Sequence, residues 1–153
     1  MPNTYSQITI HLVFAVKGNS SHIHDSFRET LHKYINGIVT NQGQKLLAIN
    51  SINNHIHILI GQSPSICLSD LVREIKSESS RFINEQKLTP TKFYWQEGFG
   101  AFSYSNSQRD IVIKYIQNQQ KHHKKQSFKD EYLNFLKKFE VEYDVKFLFE
   151  FYE

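Results

Sequence analysis

The most informative stretch of the sequence is His55-Ile56-His57-Ile58-Leu59-Ile60. Side chains alternate between the two faces of a sheet along a strand, with a period of two. The three isoleucines therefore point to one face, which we expect to pack on helices, and both histidines point to the other. Their side-chain origins lie about 7 Å apart along the strand. Two imidazoles at that spacing can converge on one metal ion.

The chain around this strand follows the order βαββαβ. The pattern predicts, in turn, a strand over 6–16, a helix capped by Ser26 and Glu29 that stops at Gly43, a hairpin with arms Lys45–Ser51 and His55–Gly61 around Asn53-Asn54, a helix over Ser69–Asn84 and a strand over Gly98–Ser105. This order is typical of a ferredoxin-like α+β fold, in which helices cover one face of an antiparallel sheet. No repeat or long linker interrupts it, so residues 1–153 are expected to form one domain.

Two more helices are predicted after the βαββαβ unit. One runs from Ser107, with Asp110 at capping-box spacing, to about Lys124, and the other from Ser127 to about Val141. A last apolar stretch, Val145–Tyr152, fits either a short strand or a packed tail. The histidine face of the sheet is thus left for these late helices or for a partner chain.

The first late helix carries Tyr115 and Gln119, which lie four residues apart and so share one helical face. The amide oxygen of Gln119 is a neutral, hard ligand. With two imidazoles it gives a mixed site with open positions that Mg²⁺ or Mn²⁺ can fill. Zinc is disfavoured, because no cysteine cluster or carboxylate completes the set. A nearby cation favours the phenolate of Tyr115 and polarises a phosphate, so the pattern predicts a tyrosine nucleophile.

Composition favours a folded protein of a reducing compartment. The 153 residues are 39% apolar and 14% aromatic, which supports a core rather than disorder. The single cysteine cannot form an internal disulfide. The sequence shows neither a signal-peptide pattern nor an apolar stretch of about 18 residues, so we expect a cytoplasmic protein without a membrane span.

The net charge of +3 decides nothing about partners, but its distribution is informative. A basic block after the tyrosine contains Lys121, Lys124 and Lys125, with His122 and His123 among them. It fits contact with a DNA backbone or a solvated helix end, and contact is favoured if the substrate passes close by. Phosphate contact and an ordinary polar face are equally open for the cations of the second helix, which are Arg73, Lys76 and Arg81. His11 is expected to be a packed or edge histidine.

Several motifs in order resemble one known family, the single-tyrosine HUH transposases of small, IS200-like bacterial insertion sequences, with the REP-associated tyrosine transposases as close relatives. The motifs are His11–Phe14, Asn54–Ile60, Val72–Lys76, Ser79–Asn84, Trp95–Ser103 and Tyr115–Gln119. The resemblance implies a ferredoxin-like sheet with the nucleophile on a later helix. It implies that His55 and His57 bind a divalent metal, with Gln119 as third ligand. Tyr115 would form a 5′-phosphotyrosine link to single-stranded DNA that carries hairpins.

The same resemblance implies a homodimer, in which the tyrosine helix of one subunit can complete the histidine site of the other. One departure is visible, since Asn54 stands where many relatives have aspartate before the first histidine. A mobile transposase and a domesticated relative remain equally open. Outside this class, the alternatives are a non-catalytic nucleic-acid-binding module on the same fold and a structural metal site. The combination of two histidines, a tyrosine and a glutamine weighs against the first, and the lack of a closed tetrahedral ligand set weighs against the second.

Overall fold

A four-stranded antiparallel sheet organises the protein, whose computed structural model describes residues 3–153. The strands are β1 (Thr9–Ala15), β2 (Lys45–Ser51), β3 (His55–Gly61) and β4 (Gly100–Tyr104), in the spatial order β2-β3-β1-β4. Helix α1 (Asp25–Asn41) joins β1 to β2, and helix α2 (Leu68–Glu85) joins β3 to β4. Each helix connects two strands that have one strand between them, which confirms the predicted ferredoxin-like α+β fold.

Strand β3 occupies a central position and is paired on both sides. His57 lies opposite Val13 of β1 and Asn50 of β2. The isoleucines of β3 are fully buried in the main core, together with Leu31 of α1 and Ile75 of α2. The prediction that the isoleucine face packs on the helices is confirmed. The histidines point to the opposite face, because a strand alternates its side chains.

The late helices cover that opposite face. They are α3 (Arg109–Gln117), the short α4 (Gln119–His122) and α5 (Phe128–Lys138). Val112 and Ile116 of α3 form a second buried cluster with Leu59 of β3, and Phe135 of α5 stacks on Phe102 of β4. The protein thus has three layers, and its histidines lie between the sheet and the late helices. Within the described part of the chain, each helix is too short or too polar to span a lipid bilayer.

The prediction of one continuous helix from Ser107 to Lys124 is wrong. A 3₁₀ turn over Asn106–Gln108 precedes α3, and Ser105 forms the capping box with Gln108. The helix then breaks at Asn118, whose amide nitrogen is shared between two carbonyl oxygens of the preceding turn. This break sets the direction of α4, so Gln119 is no longer placed by α3 alone.

The C-terminal helix and tail agree better with expectation. Ser127 caps α5 by accepting a hydrogen bond from the amide of Asp130 at 3.1 Å. The stretch Val145–Tyr152 is a packed tail rather than a strand. It begins with a 3₁₀ turn, and Phe149 is buried against Tyr132 of α5. The tail therefore helps to hold α5 on the sheet.

Candidate metal and tyrosine site

Strand β3 brings the two histidine side chains to one point. The Nε2 atoms of His55 and His57 are 3.1 Å apart, and neither residue is exposed to solvent. On its other nitrogen, each ring has a hydrogen-bond partner that fixes its orientation. His55 Nδ1 is 2.7 Å from Asn54 Oδ1, and His57 Nδ1 is 2.7 Å from His11 Nε2. Both Nε2 atoms therefore face the same small space, as the strand periodicity predicts.

Asn54 fixes the tautomer of His55. Its Nδ2 donates to the carbonyl oxygen of Tyr152 at 3.0 Å, so Oδ1 is the atom that faces the imidazole. An amide oxygen only accepts, hence Nδ1 of His55 carries the hydrogen and Nε2 keeps its lone pair. Burial lowers the pKa of His55 to about 3, which keeps the ring neutral. Asn54 thus orients the imidazole of His55 as a carboxylate would, but without a charge.

A carboxylate and a third histidine join the pair. Glu131 of α5 is 2% exposed, and its Oε1 lies 3.2 Å from His55 Nε2, 3.0 Å from His57 Nε2 and 3.1 Å from His123 Nε2. The ligand atoms of His55, His57, His123 and Glu131 all lie within 4.8 Å of one another. This buried cluster could hold a metal ion.

Two expectations from the sequence are therefore wrong. A carboxylate does complete the set, and His123 packs inside the site rather than facing a DNA backbone. Glu131 is 74 residues away from His57 along the chain, so no local spacing indicates the contact. One signal does exist, because Phe128, Tyr132 and Phe135 form the apolar stripe of α5 and Glu131 is a carboxylate on that same stripe.

Tyr115 and Gln119 meet on the second oxygen of Glu131. The hydroxyl of Tyr115 donates to Oε2, and Gln119 Nε2 donates to the same atom at 3.0 Å. Gln119 Oε1 lies 2.9 Å from His123 Nε2. The structure thus brings the two predicted histidines, the tyrosine and the glutamine together within one chain.

Electrostatics keep the tyrosine and the carboxylate in opposite protonation states. Burial, and then the charge of Glu131, raise the pKa of Tyr115 well above its ordinary value. Burial also opposes ionisation of Glu131, but the charge of His57 and a hydrogen bond from His123 outweigh it and hold the pKa of that carboxyl below its usual range. The site therefore contains a phenol that donates to a carboxylate.

A cavity of about 260 Å³ opens beside Tyr115. Its wall includes Tyr104, Glu131 and Asn134, and Lys138 lies at its edge with its ammonium 5.7 Å from the ring centre of Tyr104. Burial raises the pKa of Tyr104 to about 12, so this second phenol also remains protonated. The cavity therefore borders both Tyr115 and the carboxylate that it contacts.

The cations suggested for DNA contact lie in two places. Arg73 pairs with Asp70, and Arg81 pairs with Glu78. Lys76 donates to the carbonyl oxygens of Gln96 and Gly98, and burial lowers its pKa to about 8. These three belong to α2, on the isoleucine side of the sheet, so the structure does not bring them to the tyrosine. The exposed Lys121, Lys124 and Lys125 belong to α4 and the segment after it, next to the site.

Comparison with known proteins identifies the family. The family model described as "Transposase IS200 like" matches residues 4–119. The ISDra2 transposase TnpA of Deinococcus radiodurans is 22% identical over 118 residues, which are 74% of this chain and 84% of that protein. The residues that the family model matches include His55, His57, Tyr115 and Gln119, and the match ends before α5.

Two solved structures share the fold. A candidate transposase from Deinococcus radiodurans R1 superimposes with a TM-score of 0.60 at 22% identity, covering 76% of this chain and 94% of that one. A REP-associated tyrosine transposase bound to a REP hairpin also gives 0.60, at 16% identity, covering 79% of this chain and 72% of that one. Since the family model spans most of the chain, this protein belongs to the IS200-like transposase family.

Proposed function

We propose that the protein cleaves and rejoins single-stranded DNA through a covalent bond to Tyr115, with a divalent metal ion held at His55 and His57. One observation carries the proposal. Within a single chain, Tyr115 and Gln119 contact the same carboxylate that contacts both histidines. The nucleophile and the candidate ligands are thereby parts of one site. A metal-dependent DNA strand transferase needs this combination, whereas a protein that only binds DNA does not.

The residues present fit a divalent metal ion. His55 Nε2 has a free lone pair because its Nδ1 hydrogen is engaged by Asn54. We propose Gln119 as the third ligand. The buried carboxylate beside the histidines weakens the case against zinc. The amide oxygen of Gln119 also suits Mg²⁺ or Mn²⁺, which we retain as our proposal. When bound, the ion would polarise the phosphate and help to neutralise its developing charge.

Tyr115 would supply the covalent chemistry. Its oxygen attacks the scissile phosphorus while the bond from phosphorus to the 3′ oxygen breaks, which leaves a 5′-phosphotyrosine ester and a free 3′ hydroxyl. The phenol loses one proton and the leaving oxygen gains one, so no net proton is consumed. In the free protein the hydroxyl hydrogen points to Glu131 Oε2, which leaves the lone pairs of the oxygen for phosphorus. The reverse reaction rejoins strands without an external energy source.

We propose DNA hairpins as the partner and the cytoplasm as the location. The solved relative bound to a REP hairpin supports the first part, since it shares the fold. We also propose a homodimer, as in the resembling family. Contact of Tyr115 with Glu131, and through it with the histidines of the same chain, supports cleavage within one subunit.

A labelled hairpin oligonucleotide tests this function. Incubation of single-stranded DNA with the protein and Mn²⁺ should give a covalent adduct, and Tyr115→Phe should abolish the adduct while DNA binding persists. Tyr104→Phe is the matched control, because Tyr104 lines the same cavity and should remain competent. His57→Ala should abolish the metal-dependent adduct. DNA binding by a wild-type protein that never forms an adduct would indicate the non-catalytic module instead.

A further inference from the structure

We propose that Glu131 is a ligand of the metal through Oε1 and fixes the hydroxyl of Tyr115 through Oε2, an inference that rests on the proposed function. Glu131 belongs to α5, which lies outside the matched residues 4–119. The contacts of its two carboxylate oxygens point to this role.

Glu131 is a carboxylate buried among histidines. Among residues 3–153, its ion-pair partners are His55, His57 and His123, and no lysine or arginine pairs with it. The ligand atoms of these four residues all lie within 4.8 Å of one another. Imidazole nitrogens and a carboxylate oxygen that converge in this way form a common ligand set for divalent metals.

His55 directs its free ring nitrogen at Glu131. Asn54 Oδ1 engages Nδ1 on the other side of the ring, and Nε2 lies 3.2 Å from Glu131 Oε1. A metal ion held by both atoms would account for this approach.

The distances suit a common ion. Two ligand atoms that each lie about 2.1 Å from an ion, at right angles to one another, are about 3.0 Å apart. Glu131 Oε1 is 3.0 Å from His57 Nε2, and the Nε2 atoms of His55 and His57 are 3.1 Å apart. The three atoms thus already have the mutual separations of ligands of one ion.

The second carboxylate oxygen of Glu131 connects the candidate metal site to Tyr115. Oε2 accepts hydrogen bonds from Tyr115 and Gln119 and makes none of the histidine contacts. A metal ion on Oε1 would leave Oε2 on Tyr115. Glu131 is then a positioning residue, because it acts on the reaction by holding Tyr115 beside the ion.

Helix α5 holds this carboxylate firmly. Phe128 stacks on the ring of His55, with 3.8 Å between centroids and 5° between planes. Ser127 caps the helix, and Phe135 is buried against the sheet. Glu131 lies between these anchors, so its two oxygens have little freedom to turn away.

Calorimetric titration of Mn²⁺ into the full chain tests the inference without DNA. Glu131→Gln should weaken Mn²⁺ affinity by about 10- to 100-fold, the loss typical of groups that support a metal site. Asp130→Asn is the matched control, because it removes the same charge from an exposed neighbouring position and should leave the affinity within about two-fold. A Glu131→Gln protein that is folded and binds Mn²⁺ as tightly as the wild type would overturn the proposal.

A second pair of variants separates this inference from the proposed function. If His55→Ala loses Mn²⁺ binding while Glu131→Gln keeps it, the inference on Glu131 fails and the histidine site stands. If neither variant loses affinity, the metal site itself is elsewhere and both proposals fail. Should Glu131→Gln not fold, Glu131→Asp keeps the charge but withdraws the carboxylate by one methylene. Without metal, the melting temperature of that variant should be close to that of the wild type, but its Mn²⁺ affinity should be lower. A Glu131→Asp protein with wild-type affinity would again overturn the proposal.

Discussion

His11 offers a way to perturb the metal site without touching a ligand. His11 is completely buried in β1, and its Nε2 lies 2.7 Å from His57 Nδ1. Burial lowers the pKa of His11 well below its ordinary value, so the ring is neutral and can accept a hydrogen bond. If His57 binds a metal through Nε2, its Nδ1 carries the hydrogen and donates to His11. The expectation from the sequence that His11 is a packed histidine is correct for its burial, but incomplete for its contacts.

The substitution His11→Phe removes the acceptor and keeps an aromatic ring. The hydrogen of His11 would then reside on Nδ1, which has no partner in the structure. Replacing His11 eliminates that unpaired N–H and creates another on His57, and each costs about 1–3 kcal/mol. The surroundings are aromatic, with Phe102 and Phe135 in contact. We therefore expect the free energy of unfolding of the metal-free protein to change by no more than about 1 kcal/mol.

Metal affinity should respond much more strongly than stability. Loss of a partner that orients a ligand histidine costs about 10- to 100-fold in affinity, or about 1.4–2.8 kcal/mol. Mn²⁺ titration calorimetry measures this loss, and urea denaturation measures stability. His24→Phe, at an exposed position, is the control for introducing a phenylalanine. If His11→Phe folds and binds Mn²⁺ as the wild type does, His11 does not orient His57 and the tautomer argument is refuted.

Three further predictions concern other parts of the molecule. Burial lowers the pKa of His32 to about 4, so its neutral ring stabilises the folded state above pH 6.5, and up to roughly 3 kcal/mol of the free energy of unfolding is lost as the pH falls from 6.5 to 4. Urea denaturation over that pH range should show a smaller loss for His32→Gln than for the wild type. Gly100→Ala places a Cβ 2.8 Å from a tyrosine ring of α5, which should cost about 1–3 kcal/mol and lower the melting temperature, whereas Gly61→Ala meets only an ordinary contact at 3.7 Å and is the control. Lys138→Ala, at the edge of the cavity, should reduce the slope of log affinity against log salt concentration for single-stranded DNA by about 0.7, the value for one phosphate contact. Lys137→Ala should leave that slope unchanged, and equal slopes for the two variants would argue against a phosphate in the cavity.

Local pattern was sufficient for the sheet and for the histidine pair. Strand periodicity is a property of consecutive residues, so it placed both imidazoles on the face opposite the isoleucines, as the structure has them. Capping chemistry is equally local, and it placed the start of α5 at Ser127 correctly. It was wrong for α1, which begins at Asp25 after His24 rather than at a Ser26 cap. The family resemblance, carried by motifs in order, is confirmed by the family model.

Contacts between segments that are distant in the sequence could not be predicted from local patterns. Glu131 reaches His57 only because α5 folds back over the sheet. The helix break at Asn118 occurs without a glycine or proline that would have indicated it in the sequence. Lys76 is a second example. Its charge left a phosphate contact and an ordinary polar face equally open, and in the structure its ammonium donates to backbone carbonyls of the segment that leads into β4. The sequence pattern cannot distinguish a cation that closes a loop from one that faces a ligand.

Peptide mapping of the DNA adduct tests the central claim most directly. The wild-type protein is incubated with a hairpin-bearing single strand and Mn²⁺, the products are digested with protease and nuclease, and the modified peptide is sequenced by mass spectrometry. We predict a nucleotide attached through its 5′ phosphate to the oxygen of Tyr115. A nucleotide attached to Tyr104 or to any other residue, or cleaved DNA with no protein adduct, would contradict the account.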